Sequence, residues 1–268
     1  MTTREPRPDV PDILLRIVER RRKRLSAFGA TELPPATGTQ HLLGAPENPF
    51  LAALARQRGR AVIAEVKLGS PSMGSVRGTF DPLEVARTYA KNGAAALSVV
   101  VEPDFFYGSY ELLRGCRQAS GLPAIAKDFV VDALQLQWAK DAGADAILLV
   151  AALYSRDELH SYAAAARRLG LVPLVEVHDL GELSRLTGGR WELVGVNNRN
   201  LRTFEVSIEH GLALASTLPT EAIKVSESGI HSPGDLHMMR AVGYDAFLVG
   251  EHMLKAADPG KALRELLA

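Results

Sequence analysis

The chain holds a single cysteine, Cys116, among its 268 residues. One thiol builds neither a disulfide framework nor a cysteine-rich zinc site, and it fits a reducing cytosol. There is no excess of either charge. Lys+Arg and Asp+Glu stand at 31 each, so no global basic field speaks for nucleic acid. No apolar run reaches the roughly 18–20 residues that span a bilayer. The N-terminus opens on polar Thr2, Thr3, Arg4 and Glu5 and lacks the apolar core of a signal peptide. A cytoplasmic protein without nucleic-acid or membrane partners is the expectation. The composition, 47% hydrophobic and 23% charged, buries a core without staples and excludes disorder beyond the ends. The length exceeds one small domain and suits one large α/β domain.

Residues 1–11 carry Pro6, Pro8 and Pro11 without periodicity and read as a flexible arm. Residues 12–60 read as a helical extension. Ile13, Leu14, Ile17, Val18 and Leu25 recur at near-helical spacing, with Arg16, Glu19, Arg20, Arg21, Arg22, Lys23 and Arg24 as a solvated face. Pro34, Pro35, Gly38, Gly44 and Pro46 mark a loop over 30–47, and a short helix is expected over 49–57.

From residue 61 to 268 the chain becomes rhythmic. Short apolar runs start at residues 61, 95, 123, 146, 172, 193, 223 and 246, separated by helical patterns. Gly93, Gly143, Gly170 and Gly243 each stand where a helix ends just before the next run. Eight β-then-α units with strands apolar nearly throughout predict an α/β fold: a single (β/α)8 TIM barrel with an N-terminal helical extension. The rival is an open doubly wound sheet. It wants a glycine-rich phosphate loop after the first strand, where this chain has Lys67-Leu68-Gly69-Ser70-Pro71.

Side chains two apart on a strand share a face, and the C-terminal rim of a barrel's interior carries its chemistry. Glu65 and Lys67 continue the phase of Ile63. Lys127 follows Ile125, Glu176 follows Leu174, Asn197 follows Gly195, and Glu227 follows Val225. Arg199 stands just past the sixth run. A ring of carboxylates and amines in matching phase is no requirement of barrel stability. Paired, such groups offset the cost of burial and shift one another's pKa values, which points to proton-transfer chemistry. Ser228-Gly229 after the seventh run and Gly250-Glu251 after the eighth let backbone N–H groups approach an anion, so a phosphate is expected there. The seven histidines show no metal-ligand spacing, and only His178 and His252 lie near the predicted rim. Cys116 falls in the helix after the second run, away from that rim. Phe105, Phe106 and Tyr107 read first as a packed loop plug, although an aromatic substrate would welcome them, and Phe129 reads as an apolar wall.

These motifs also resemble a known family. Ala64-Glu65-Val66-Lys67 with Ser70-Pro71-Ser72-x-Gly74, Lys127-Asp128-Phe129, Leu174-Val175-Glu176-Val177, Gly195-Val196-Asn197-Asn198-Arg199-Asn200-Leu201, Ser226-Glu227-Ser228-Gly229-Ile230 and Phe247-Leu248-Val249-Gly250 resemble the strand signatures of the indole-3-glycerol phosphate synthases. The match runs from about residue 12 to the C-terminus, one motif per strand. The resemblance implies ring closure, decarboxylation and dehydration of 1-(2-carboxyphenylamino)-1-deoxyribulose 5-phosphate, with no cofactor and no metal. It implies helices of the extension covering the barrel near the substrate. A phosphorylated small molecule is the expected partner, and a monomer or weak homodimer the expected state.

The resemblance further implies roles. Lys127 and Lys67 serve as acids, with the division of steps between them left open, and Glu176 as base. Glu65 and Glu227 hold the lysines, and Asn197 bonds a substrate hydroxyl. Arg199 and Ser70 receive the anthranilate carboxylate; Pro71, Phe129 and Leu201 wall its ring; Ser228, Gly229, Gly250 and Glu251 take the phosphate. Leu68, Gly69, Val101, Asp104, Ala126 and Glu251 depart from the family's usual pattern, and none of these departures removes a matched acid or base. The related phosphoribosylanthranilate isomerases use a first-strand cysteine where this chain has Glu65 and Lys67, and a non-catalytic binding relative has no need of the full acid–base set.

Overall fold

In a computed structural model the described residues are 11–29, 48–71 and 74–268. Residues 1–10 of the arm read over 1–11, the loop read over 30–47 and Ser72 of the first-strand motif lie outside the described residues.

The apolar runs become strands β1 (Ala61–Val66), β2 (Ala96–Val100), β3 (Ala124–Lys127), β4 (Ala146–Val150), β5 (Val172–Val177), β6 (Leu193–Asn197), β7 (Ile223–Glu227) and β8 (Ala246–Val249). They close in the order β1-β8-β7-β6-β5-β4-β3-β2, every neighbouring pair parallel. Because β1 pairs with both β2 and β8, the open sheet is excluded. Some runs overreach their strands. Phe129 lies past the end of β3, and Glu251 begins a short helix instead of ending β8. Both overreaches reflect apolar or small residues continuing past the last ladder hydrogen bond.

Alternation along the strands divides the core in two. Ile63, Ala96, Ile125, Leu148, Leu174, Leu193, Val225 and Leu248 fill the interior. Val62, Val66, Leu97, Val99, Leu149, Val175, Val194 and Phe247 face the helices around it. Those helices, among them α3 (Pro82–Lys91), α4 (Tyr110–Ser120), α5 (Ala133–Asp141), α6 (Arg156–Arg168) and α7 (Leu180–Ser184), begin at side-chain caps: Asp81, Ser109, Asp132, Ser155, Asp179, Ser232 and Asp258 each accept a hydrogen bond from a backbone N–H of the first turn. Gly93, Gly143, Gly170 and Gly243 take φ of 99, 88, 76 and 98°, the left-handed turn that ends a helix and starts the next strand.

The extension splits between the two ends of the barrel. α1 (Asp12–Leu25) stands at the C-terminal mouth, with Ile13, Leu14 and Ile17 lining the cavity there. α2 (Pro49–Arg56) closes the opposite end. Its N-cap Asn48 donates to the carbonyls of Asp145 and Gly170, which precede β4 and β5, and Phe50 and Leu54 join the interior cluster. The expectation that both helices cover the substrate is therefore corrected: α2 plugs the floor.

A second correction concerns Arg21, which is 2% exposed and not part of the solvated face. Its guanidinium pairs with Asp128, itself buried, and Asp128 also accepts from the Tyr110 hydroxyl at 2.8 Å and Gln135 Nε2 at 2.9 Å. Asp128 directly follows Lys127, so this knot ties α1 to the end of β3. On the rim, Asp104 accepts from Arg24 Nη2 at 2.8 Å and Arg20 Nε at 3.3 Å. These exposed pairs are worth at most about 1 kcal/mol each. The buried pair is different, because removing one partner strands the other's charge. Arg21→Met is expected to lower the unfolding free energy by about 3–5 kcal/mol. Urea denaturation reads this as a lower midpoint at unchanged slope, and an unmoved midpoint would show that α1 is held by its apolar face alone.

Candidate active site

A cavity of about 300 Å³ opens at the C-terminal mouth. Its size lies at the low end of the small-molecule range. Every site residue expected from the sequence lines it except Glu227, which lies fully buried beneath. Sequence reasoning missed α1's Ile13, Leu14 and Ile17 and the side chains of Phe204, Val206, His231 and His252 on the same wall. Phe106, read as loop plug, is a wall residue whose ring centroid lies 5.9 Å from that of Phe129. Buried Glu102 shapes that loop by accepting from the backbone N–H groups of Asp104, Phe105 and Phe106 at 2.9, 2.7 and 3.0 Å.

The charged groups form one connected set. Lys67 Nζ lies 2.8 Å from Glu65 Oε1, and Lys127 Nζ lies 3.4 Å from Glu65 Oε2 and 3.1 Å from Glu227 Oε2. Two glycines make room for the carboxylates. A Cβ on Gly195 would come within 2.3 Å of Glu227 Oε1, and one on Gly250 within 2.4 Å of Glu65 Oε1. Inward-pointing carboxylates fit on β1 and β7 only because the neighbouring strand carries no side chain at those levels. Gly250, expected as a phosphate residue, thus also seats Glu65.

Electrostatics follow from this crowding. Burial alone would raise the Glu65 pKa, but Lys67 and Lys127 outweigh it and hold it at about 2. Burial would likewise lower the Lys127 pKa, yet Glu227, Glu65 and Glu176 raise it, so the amine stays charged. Glu227 is pushed upward, by burial first and by its neighbour Glu176, against the pull of Lys127. The arrangement offers a charged N–H donor, Lys127, and a carboxylate with raised proton affinity, Glu227, beside one hollow. That is equipment for protonating a developing oxyanion and removing a nearby proton.

Around this set, Asn197 Oδ1 accepts from the Arg199 backbone N–H at 3.0 Å, and Arg199 Nη2 reaches Glu251 Oε2 at 2.9 Å. Glu251 also meets Lys255 at 2.6 Å, so its carboxylate is shared between two cations. Ser228 and Gly229 both take positive φ, 66 and 78°. A serine in that region is uncommon, and Asn198 fixes it by donating Nδ2 to the Ser228 carbonyl at 3.0 Å. Among the described residues no group of three or more His, Cys, Asp or Glu is arranged to hold a metal ion.

Two solved structures of similar shape share little sequence with this chain. Thiamine phosphate pyrophosphorylase from Pyrococcus furiosus matches with a TM-score of 0.58 at 16% identity, covering 79% of this chain and 95% of that one. 3-Hexulose-6-phosphate synthase from Salmonella typhimurium matches with a TM-score of 0.62 at 14% identity, covering 77% and 96%. At such identities the likeness extends to the fold alone. Sequence relatives go further. Indole-3-glycerol phosphate synthase of Albidiferax ferrireducens is 43% identical over 263 residues, 96% of this chain and 98% of its own. That of an Azoarcus species is 50% identical over 208 residues, 77% of this chain and 79% of its own. The family model for indole-3-glycerol phosphate synthase matches residues 14–266. With that match over nearly the whole chain, the protein belongs to the indole-3-glycerol phosphate synthase family, the decarboxylating lyases of tryptophan biosynthesis.

Proposed function

We propose that the rim residues divide the synthase reaction as follows. The substrate's aromatic carbon bearing the carboxylate bonds to the ketone carbon, and the ketone oxygen takes a proton from Lys127. Carbon dioxide then leaves, and the electron pair of its bond returns to the ring. Finally the new hydroxyl leaves as water with a proton from Lys67, while Glu176 takes the proton from the adjacent carbon. The balance is one substrate to indole-3-glycerol phosphate, carbon dioxide and water.

Glu65 and Glu227 hold Lys127 charged, and Glu65 aims Lys67. Asn197 bonds a sugar hydroxyl. Arg199 and Ser70 receive the anthranilate carboxylate, Arg199 through its planar fork. Pro71, Phe129 and Leu201 wall the ring, with Phe106 beside Phe129. Backbone N–H groups of Ser228, Gly229, Gly250 and Glu251 take the phosphate. The enzyme works in the cytoplasm as a monomer or weak homodimer, on a phosphorylated small molecule alone.

One observation carries this reading: Lys67, Lys127 and Glu176, from three separate strands, line one cavity with Ser228, Gly229 and Gly250 at its edge. The test is a crystal structure with indole-3-glycerol phosphate bound. The phosphate is expected between the loops after β7 and β8, with the indole against Phe129 and Leu201. A phosphate seated elsewhere in the mouth would overturn the assignment.

A further inference from the structure

His178 follows β5 two residues after Glu176, and its side chain is only 13% exposed. It touches neither of the lysines, and the reaction described above gives it no role. Its two ring nitrogens nevertheless face two different carboxylates. Nδ1 lies 3.2 Å from Glu182 Oε2, and Nε2 lies 3.5 Å from Glu176 Oε1. A neutral imidazole carries one N–H, whereas an imidazolium carries two, so a ring placed between two carboxylates can donate to both only in the charged form. Nε2 is buried and makes no hydrogen bond, which leaves it directed at Glu176 by attraction of charge.

The support behind the ring is firm. Glu182 sits in the short helix α7 (Leu180–Ser184), where its backbone N–H donates to the Asp179 cap at 2.7 Å. The same Glu182 Oε2 also accepts from the His178 backbone N–H at 2.8 Å. The His210 ring, from α8 (Ile208–Leu214), meets the His178 carbonyl. A carboxylate behind an imidazole, fixing its orientation toward a group in the site, is a recurrent way of setting both geometry and charge.

We propose that His178 is a positioning residue: held by Glu182 as an imidazolium, it keeps the Glu176 carboxylate aimed into the cavity, and its deprotonation sets the alkaline limit of turnover. This rests on Glu176 being the base of the dehydration step.

The surrounding charges favour it. Glu176, Asp179 and Glu182 lie on its own stretch of chain, Glu227 lies on β7, and His210 comes from α8. Arg199, Arg202 and Glu205, between β6 and α8, share the wall of the adjoining hollow. Burial alone would lower the His178 pKa, but Glu182, Glu176 and Glu227 push it up to about 9. The proton is therefore held below that pH and lost above it. Once it leaves, Glu176 stands beside Glu227 with one fewer cation near, and the base loses its fixed orientation.

The experiment is a pH profile of kcat and KM for the parent protein, His178→Gln and Glu176→Gln. Glutamine keeps a polar group of similar reach and cannot take the charge. The parent is expected to lose turnover as pH rises through about 9. His178→Gln is expected to lose about tenfold to hundredfold in kcat with KM little changed, and to lose that alkaline limb. A His178→Gln profile that keeps both the parent's kcat and its limb overturns the proposal, as does a loss carried by KM alone. Glu176→Gln separates the two ideas. If it turns over normally, the base assignment fails and this inference with it; if it is inactive while the His178→Gln profile is unmoved, only this inference fails. Should His178→Gln not fold, NMR titration of the His178 ring in the parent protein decides. A ring titrating near 9 supports the proposal, and one neutral at pH 8 overturns it.

Discussion

Alanine in place of Lys127 is expected to cut turnover about 10³-fold while the barrel stays folded. The amine lies 3.1 Å from Glu227 and 3.4 Å from Glu65, at the centre of the charged set. Ring closure drives negative charge onto the ketone oxygen, and a charged donor already fixed at that place lowers the barrier without reorganisation. Water admitted into the vacated space is a poorer acid and is not held in position. The fold survives because Glu227, pushed upward by burial and by Glu176, takes up a proton once its lysine is gone, so no uncompensated carboxylate is left in the interior. Single-turnover fluorescence of the indole product measures the loss, and circular dichroism checks the fold. Near-normal turnover in a folded variant would remove Lys127 as the acid.

Lys67→Ala is expected to fail later in the sequence. Lys67 Nζ is paired with Glu65 Oε1 at 2.8 Å and reaches over the rim from the end of β1. In the proposed division of steps, ring closure and loss of carbon dioxide do not require it. Departure of the hydroxyl does, since hydroxide is a poor leaving group until protonated. The variant should release carbon dioxide and then accumulate a ring-closed species one water heavier than the product, with overall turnover down by about 10²–10³-fold. Rapid quench followed by mass spectrometry reads that species directly. Product appearing as fast as carbon dioxide would reassign the dehydration acid.

Much of this site was legible before any coordinates, because strand periodicity of two is a rigid rule. Glu65, Lys67, Lys127, Glu176, Asn197 and Glu227 each stand in phase with an apolar inward residue, so a closed parallel barrel has to bring them to one mouth. Glycines at the helix ends were legible for a similar reason, as few other residues take the left-handed turn. Arg21 was not legible. It sits among seven other charged residues on α1, and its partner Asp128 is 107 positions away. Which of the loop aromatics reaches the cavity wall was not legible, because the place of Phe106 there depends on Glu102 gathering three backbone N–H groups around itself. The spaces beside Gly195 and Gly250 were equally hidden, since a missing side chain matters only against the carboxylate across the strand pair.

By itself the sequence determined the barrel, the order of its units and the faces on which the acids, bases and amines lie, since hydrophobic period and capping residues act over a few positions. Tertiary structure alone decided who meets whom across the mouth: Lys127 with Glu227, Arg21 with Asp128, His178 between Glu176 and Glu182. Those encounters depend on strand register and on where loops fold back, at a precision of an ångström or less. Charge interactions in a buried hollow change strongly over that distance, whereas the local preferences that write the fold do not.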